Sequence, residues 1–186
     1  MKLNLIENIK ITTMSDLKKN YNSDKPQPII RVGSGFDVHE FTSGEYVTLC
    51  GVRIPFNKKL KGHSDADVGL HSLTDAIFGA LGKGDLGRWF PSNDMKWKNV
   101  NSKVFLDKSL SLMRQDEFFI ANMDLTFICE EPKIQSIHKE MTSNLSKLCD
   151  LPANQINIKA TTSEGLGFTG RGEGIAVLTS VLLLKE

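Results

Sequence analysis

The stretch KIQSIHKEMTSNLSKL, residues 133–148, sets Ile134, Ile137, Met141, Leu145 and Leu148 three and four positions apart. One apolar stripe on an otherwise polar cylinder predicts a helix that lies against a surface rather than one enclosed by a core. Outward from it, runs rich in β-branched and aromatic residues recur at 29–32, 46–50, 52–54, 122–129, 155–161 and 175–184, several with apolar side chains at every second position. A period of two turns one side of each strand toward the core, so these strands supply the surface the helix requires. Helical patterns also span 65–81 and 102–113. The combination predicts an α+β fold, a mixed β-sheet with helices packed on one face. Gly84, Pro91, Ser92 and Asn93 mark a long polar connection between the first two helices, the expected place for a mobile loop over a site.

Bulk properties narrow the function. With 186 residues, 40% of them hydrophobic, the chain suits one domain with an ordinary core. Lys and Arg total 23 against 22 acids, and a net charge of +1 makes no long-range field that would gather nucleic acid or an anionic membrane. Any phosphate must therefore be held by local groups. Cys50, Cys129 and Cys149 are odd in number and lack a C-x-x-C pair, which argues against a disulfide framework or a thiolate zinc site. No apolar run reaches the ~18 residues of a membrane span, and the start lacks a signal-peptide pattern. A soluble, cytoplasmic, bacterial-type protein is expected; Glu7 and Asp16 argue against an organelle transit peptide. Residues 1–28, with Asn20, Asn22, Ser23, Asp24, Pro26 and Pro28, read as a disordered or linker-like tail, and 29–186 as the ordered domain.

The chemistry concentrates in a few places. Ile29-Ile30-Arg31-Val32 leads into Gly33-Ser34-Gly35-Phe36, and then Asp37-Val38-His39 forms a D-x-H whose carboxylate and imidazole share one side of a strand, with Phe36 and Val38 on the other. His71, inside the helical pattern over 65–81, shares a helix face with Asp67 and Asp75. Two imidazoles and a carboxylate suit Zn²⁺, which in catalytic sites takes three protein ligands and leaves one position open, and Asp37, His39 and His71 fit that count. The plainer alternative is that each histidine is a separately satisfied polar residue. Ser64 or Asp65 reads as the N-cap of the helix, which would put His63 and Ser64 at its positive end, where phosphate is favoured. His138, between Ile137 and Lys139, reads as solvated. Gly165-Leu166-Gly167-Phe168-Thr169-Gly170 matches G-x-G-x-x-G, but strand-like sequence follows where a dinucleotide fingerprint would open a helix, so a turn is the better explanation. Lys159-Ala160-Thr161-Thr162-Ser163-Glu164 ends a strand in hydroxyls and one carboxylate, a mixture that suits a diphosphate with Mg²⁺ and equally an ordinary polar turn. Pro132-Lys133 offers a lysine and backbone N–H groups at a helix start.

In order along the chain, Gly35-Phe36-Asp37-Val38-His39, Gly62-His63-Ser64-Asp65-Ala66-Asp67-Val68, Gly84-Asp85-Leu86-Gly87, Pro132-Lys133, Lys159-Ala160-Thr161-Thr162-Ser163-Glu164 and Gly167-Phe168-Thr169-Gly170-Arg171-Gly172-Glu173-Gly174 resemble the motif series of the 2-C-methyl-D-erythritol 2,4-cyclodiphosphate synthase family. Each motif is modest; their number and order make the resemblance specific from about residue 30 to the C-terminus. It implies a phosphorus-oxygen lyase of the non-mevalonate isoprenoid pathway that converts 4-diphosphocytidyl-2-C-methyl-D-erythritol 2-phosphate to the cyclic diphosphate and CMP. It further implies a homotrimer with active sites between subunits, Zn²⁺ on Asp37, His39 and His71, and Mg²⁺ or Mn²⁺ held with the diphosphate by Glu164. His63, Thr162, Glu164 and Lys133 are the implied catalytic residues. Ser64, Asp85, Gly87, Phe90, Pro132, Lys133, Ile134, Ala160, Thr161, Thr162, Phe168 and Arg171 are implied to bind substrate. Phe36, Arg171 and Glu173 would line an axial cavity that takes an isoprenoid diphosphate. Two other readings compete. A nucleotide-binding module with structural zinc would need a fourth protein ligand, and a zinc hydrolase would need a base such as the glutamate of H-E-x-x-H, which is absent from the sequence.

Overall fold

The computed structural model describes residues 27–186. The tail expected over 1–28 falls, as far as residue 26, outside the described residues, as do Glu7 and Asp16. In chain order the elements are β1 (Ile29–Ser43), β2 (Tyr46–Leu49), β3 (Val52–Pro55), β4 (Lys58–Leu60), α1 (Val68–Leu81), α2 (Leu86–Trp89), α3 (Lys103–Gln115), β5 (Phe119–Ile128), α4 (His138–Cys149), β6 (Ile156–Thr161), α5 (Gly167–Gly170) and β7 (Gly174–Lys185). Short 3-10 turns lie at Met95–Trp97, Ile134–Ser136 and Ala153–Gln155. Five strands form one sheet in the order β4-β1-β7-β5-β6, while β2 and β3 form a separate hairpin. Only the β5–β6 pair of the large sheet is parallel, so the sheet is mixed as expected.

Alternation along β1 and β7 decides which side the helices cover. Gly33, Gly35, Val177, Thr179, Val181 and Leu183 are buried beneath them, whereas Ile30 (59% exposed), Val32 (69%), Phe36 (57%) and Leu178 (45%) point the opposite way. The covered side holds the core: Leu70, Leu73, Ile77, Phe78, Met123, Leu125, Phe127, Met141 and Leu145 are fully buried. Each such side chain contributes about 1.5–3 kcal/mol on leaving water. α1 lies on β1 at backbone contact. A Cβ added at Gly33 would meet Ala76 O at 1.9 Å, and one at Gly35 would meet Ser72 O at 1.9 Å. Ser72 locks the contact, its Oγ lying 3.0 Å from Gly35 O and 2.7 Å from Thr179 Oγ1. Among the described residues no helix is long and apolar enough to cross a membrane.

The boundaries differ from expectation in instructive places. The first long helix starts at Val68 with Asp67 as N-cap, accepting Leu70 N–H at 3.0 Å, so neither Ser64 nor Asp65 caps it. Ala66, at φ 57°, breaks the helical path ahead of that cap. His63 and Ser64 therefore stand on a loop before α1 and not at its positive end. The 133–148 pattern divides into the turn Ile134–Ser136 and α4; restarting at His138 makes Met141, Leu145 and Cys149 the buried row, with Leu148 only partly covered. The glycine-rich segment makes one helical turn, α5, before β7, consistent with a turn and not with a fingerprint. β4 and α2 had no readable pattern because three and four residues are too few to show a period.

Candidate active site

β1 presents Asp37 and His39 on the side that faces α1, and the close approach allowed by Gly35 brings His71 down to them. Asp37 Oδ2 lies 3.0 Å from His71 Nδ1 and 3.1 Å from His39 Nε2, and the two ring nitrogens are 3.0 Å apart. Four ligands at about 2.0–2.1 Å around a tetrahedral zinc sit about 3.3 Å from one another. The three atoms thus form nearly one face of such a tetrahedron. Among the described residues this is the one group of His, Cys, Asp and Glu side chains gathered closely enough to hold a metal ion.

Each imidazole has its other nitrogen engaged. His39 Nδ1 is 2.8 Å from Lys61 O, a contact that only an N–H can make, which leaves the lone pair on Nε2. His71 Nε2 has Ser102 Oγ at 2.8 Å and Ser64 Oγ at 3.1 Å. Behind His71, the rings of Phe105, Phe90 and Trp97 stack edge and face against one another, with Phe105 centred 5.6 Å from the imidazole. Burial alone would raise the Asp37 carboxyl, but hydrogen bonds and charge from His39 and His71 outweigh it and hold the group well below the usual carboxylate range. For His39 burial pulls downward and Asp37 pulls upward more strongly, so its imidazole titrates above the usual value.

A second polar region lies at the far edge of the sheet, by β6. Pro132, Lys133, Ile134, Ala160, Thr161, Thr162 and Glu164 line a cavity of about 350 Å³ together with Glu130 and His138. Lys133 Nζ donates to Glu130 O at 2.8 Å and pairs with Glu131 at 3.2 Å, while Thr162 Oγ1 lies 3.4 Å from Glu164 Oε1. Register measures the gap between the two regions. Asp37 pairs with Val177, Val177 with Phe127 and Phe127 with Ala160, so Asp37 and Ala160 occupy one row of the sheet, three strands apart. At ~4.8 Å per strand that is roughly 14 Å.

The remaining candidates divide between these regions. Asp85 caps α2, and Asp75, one turn after His71, accepts Leu86 N–H at 2.6 Å, which ties the start of α2 to α1. Phe90 is buried, its ring 4.5 Å from that of Phe105. His63 is exposed, with its carbonyl accepting Asn99 N–H at 2.6 Å. Phe168 shares a cavity of about 460 Å³ with Val38, His39 and Glu173, and Arg171 is held bidentate by Glu173 at 2.8 and 2.9 Å. The sequence pattern alone missed Ser102 and its hydrogen bond to Asp65. Both sat within helix-start signals that explained them fully, although Ser102 in fact makes no side-chain cap bond.

A mixed sheet covered on one face, with an Asp-His-His group on one strand and a lysine- and hydroxyl-lined cavity three strands away, defines a candidate metalloenzyme of the α+β class. The description YgbB family matches residues 30–184, and the chain belongs to that family. A 2-C-methyl-D-erythritol 2,4-cyclodiphosphate synthase of Cereibacter sphaeroides is 51% identical over 156 residues, 84% of this chain and 98% of that protein. A bifunctional enzyme IspD/IspF of Bartonella tribocorum is 51% identical over 181 residues, 95% of this chain; the chain spans a little under half, 46%, of that longer relative. Among solved structures, a CDP complex of IspF from Plasmodium falciparum superposes with a TM-score of 0.75 at 34% identity, covering 84% of this chain and 97% of that one.

Proposed function

We propose that the chain converts 4-diphosphocytidyl-2-C-methyl-D-erythritol 2-phosphate to 2-C-methyl-D-erythritol 2,4-cyclodiphosphate and CMP, as a phosphorus-oxygen lyase of isoprenoid biosynthesis acting in the cytoplasm. The observation that carries the reading is the Asp37–His39–His71 triangle, whose 3.0–3.1 Å edges would suit three side chains holding one metal ion. The relatives' names and the CDP held by a structural neighbour support the substrate class. In this reading residues 29–186 are the synthase domain.

An oxygen of the 2-phosphate forms a bond to the β-phosphorus as the bond from that phosphorus to the oxygen bridging toward cytidine breaks, and CMP leaves with the bridging oxygen. No water is consumed. The nucleophile is already an anion near neutral pH, so the chain needs to position and neutralise charge rather than remove a proton. Asp37, His39 and His71 would hold Zn²⁺, and Glu164 Mg²⁺ or Mn²⁺, which when bound would supply positive charge to phosphate oxygens. His63 and Ser64 hold phosphates from the loop ahead of α1, and Asp85, Gly87 and Phe90 border the erythritol. Pro132, Lys133, Ile134, Ala160, Thr161 and Thr162 take the cytidine end, Lys133 and Thr162 also meeting the diphosphate.

The two halves lie roughly 14 Å apart along the sheet of one chain, and the exposed apolar side of the sheet is a surface in want of cover. Both features support a homotrimer whose sites form between one subunit's metal group and its neighbour's nucleotide cavity. Phe36, Arg171 and Glu173 then fall near the trimer axis, where an isoprenoid diphosphate is the proposed guest, while Phe168 stays with the substrate. The test is CMP release from the substrate with Zn²⁺ and Mg²⁺, using His39→Ala as control. Cyclic product with CMP, absent in the variant, is expected. CMP without cyclisation would mean a hydrolase, and bound CDP without turnover would mean a binding module.

A further inference from the structure

A hydroxyl beside an imidazole either donates or accepts, and only a third group decides which. His71 Nδ1 faces Asp37 and His39, so its use as a ligand requires the proton on Nε2, which lies 2.8 Å from Ser102 Oγ. Ser102 is fully buried and its Oγ makes a short hydrogen bond to Asp65 Oδ1, which also accepts the Ser102 backbone N–H at 3.2 Å. A carboxylate oxygen only accepts. The Ser102 proton therefore points at Asp65, and its oxygen lone pair is left to receive the Nε2–H of His71. Lys61 O does the same for His39 without ambiguity, because a carbonyl cannot donate.

Resting on the metal reading above, we propose that Asp65 and Ser102 are positioning residues that orient His71 and hold it in the tautomer whose Nδ1 binds the metal. The second hydroxyl near Nε2, Ser64 Oγ, is farther away at 3.1 Å and is also 3.3 Å from Ser102 Oγ. With Ser102 serving His71, Ser64 is released for the substrate phosphate. This divides two adjacent serines between two tasks that a single-hydroxyl site would confuse. Outer partners of metal-bound histidines of this kind commonly carry about 10–100-fold of metal affinity.

Zinc affinity, measured on the full chain by competition with a chromogenic chelator, separates the assignments. Ser102→Ala is expected to bind zinc about 10–100-fold more weakly than wild type. Asp65→Asn falls between them, and Ser64→Ala stays within about twofold for zinc while losing turnover. In the zinc-loaded protein the Nε2–H resonance of His71 should be protected from solvent exchange in wild type and exchange rapidly in Ser102→Ala. Because the serine is buried, Ser102→Thr, which keeps the hydroxyl, guards against a folding artefact and should restore affinity. Wild-type zinc binding by Ser102→Ala, equal losses in Ser64→Ala and Ser102→Ala, or failure of threonine to restore affinity would overturn the proposal. A wild-type chain that takes up no zinc would instead overturn the metal reading beneath it.

Discussion

Asp67 has no exposed surface, yet its carboxylate receives the N–H groups of Cys50 at 2.8 Å, of Leu70 at 3.0 Å and of Gly51, tying the β2–β3 turn to the start of α1. Burial pushes this carboxyl up to about 6 in spite of those three donors. The sign follows from linkage. Below the ordinary value of 3.8 both folded and unfolded chains carry the proton; as pH rises toward 6 the unfolded chain gives it up first, so stability falls and the loss is complete above about 6. The size is about 3 kcal/mol. Asp67→Asn removes a titrating group and one acceptor, so the metal-free variant should be less stable than wild type at pH 4.5 and should lose less on going to pH 7. Urea denaturation at the two pH values checks this, and parallel slopes for the two proteins would contradict it. Spacing at this scale was partly legible. Asp37 and His39 share a strand side by period alone, whereas choosing among Ser64, Asp65 and Asp67 as the cap depended on the left-handed turn at Ala66, which no local preference announces.

Strand and helix positions were legible wherever one side of an element is buried over several residues, as along β7 and α3. β1 shows what was not. Gly33 and Gly35 look like an end to the strand, but the strand continues to Ser43, and the glycines exist for the helix crossing them. A methyl group at Gly35 would stand 1.9 Å from Ser72 O and 2.7 Å from Ala76 N, both backbone atoms that move only if α1 lifts as a unit. Gly35→Ala is therefore expected to cost about 3 kcal/mol and to separate His71 from Asp37 and His39. Chemical denaturation and a zinc titration together test it. Gly87→Ala, whose new Cβ would meet Asp85 Oδ1 at an ordinary 3.4 Å, should leave zinc binding intact. Intact zinc binding in Gly35→Ala would mean that the metal group does not depend on this close contact.

For the molecule as a whole, the decisive quantity is the roughly 14 Å between Asp37 and Ala160 across β7 and β5. Both belong to one rigid row of hydrogen-bonded strands, so no loop movement inside a chain closes that distance. A second copy can, and the apolar row of Ile30, Val32, Phe36 and Leu178 offers it a surface. In the proposed closed ring each site would take its metal group from one chain and its nucleotide cavity from the next. His39→Ala and Glu164→Gln should each be inactive alone, for opposite reasons, since each spoils a different half. Co-refolded in equal amounts, they form mixed rings in which a site is whole only when its metal half comes from the Glu164→Gln chain and its cavity from the His39→Ala chain. Random assembly makes that true of about a quarter of the sites, so about a quarter of wild-type CMP release should return. Sites contained within single chains have no such route, because every chain in the mixture carries one defect of its own. Mixed rings without recovered activity would confine the reaction to one subunit and leave the apolar face to some other purpose.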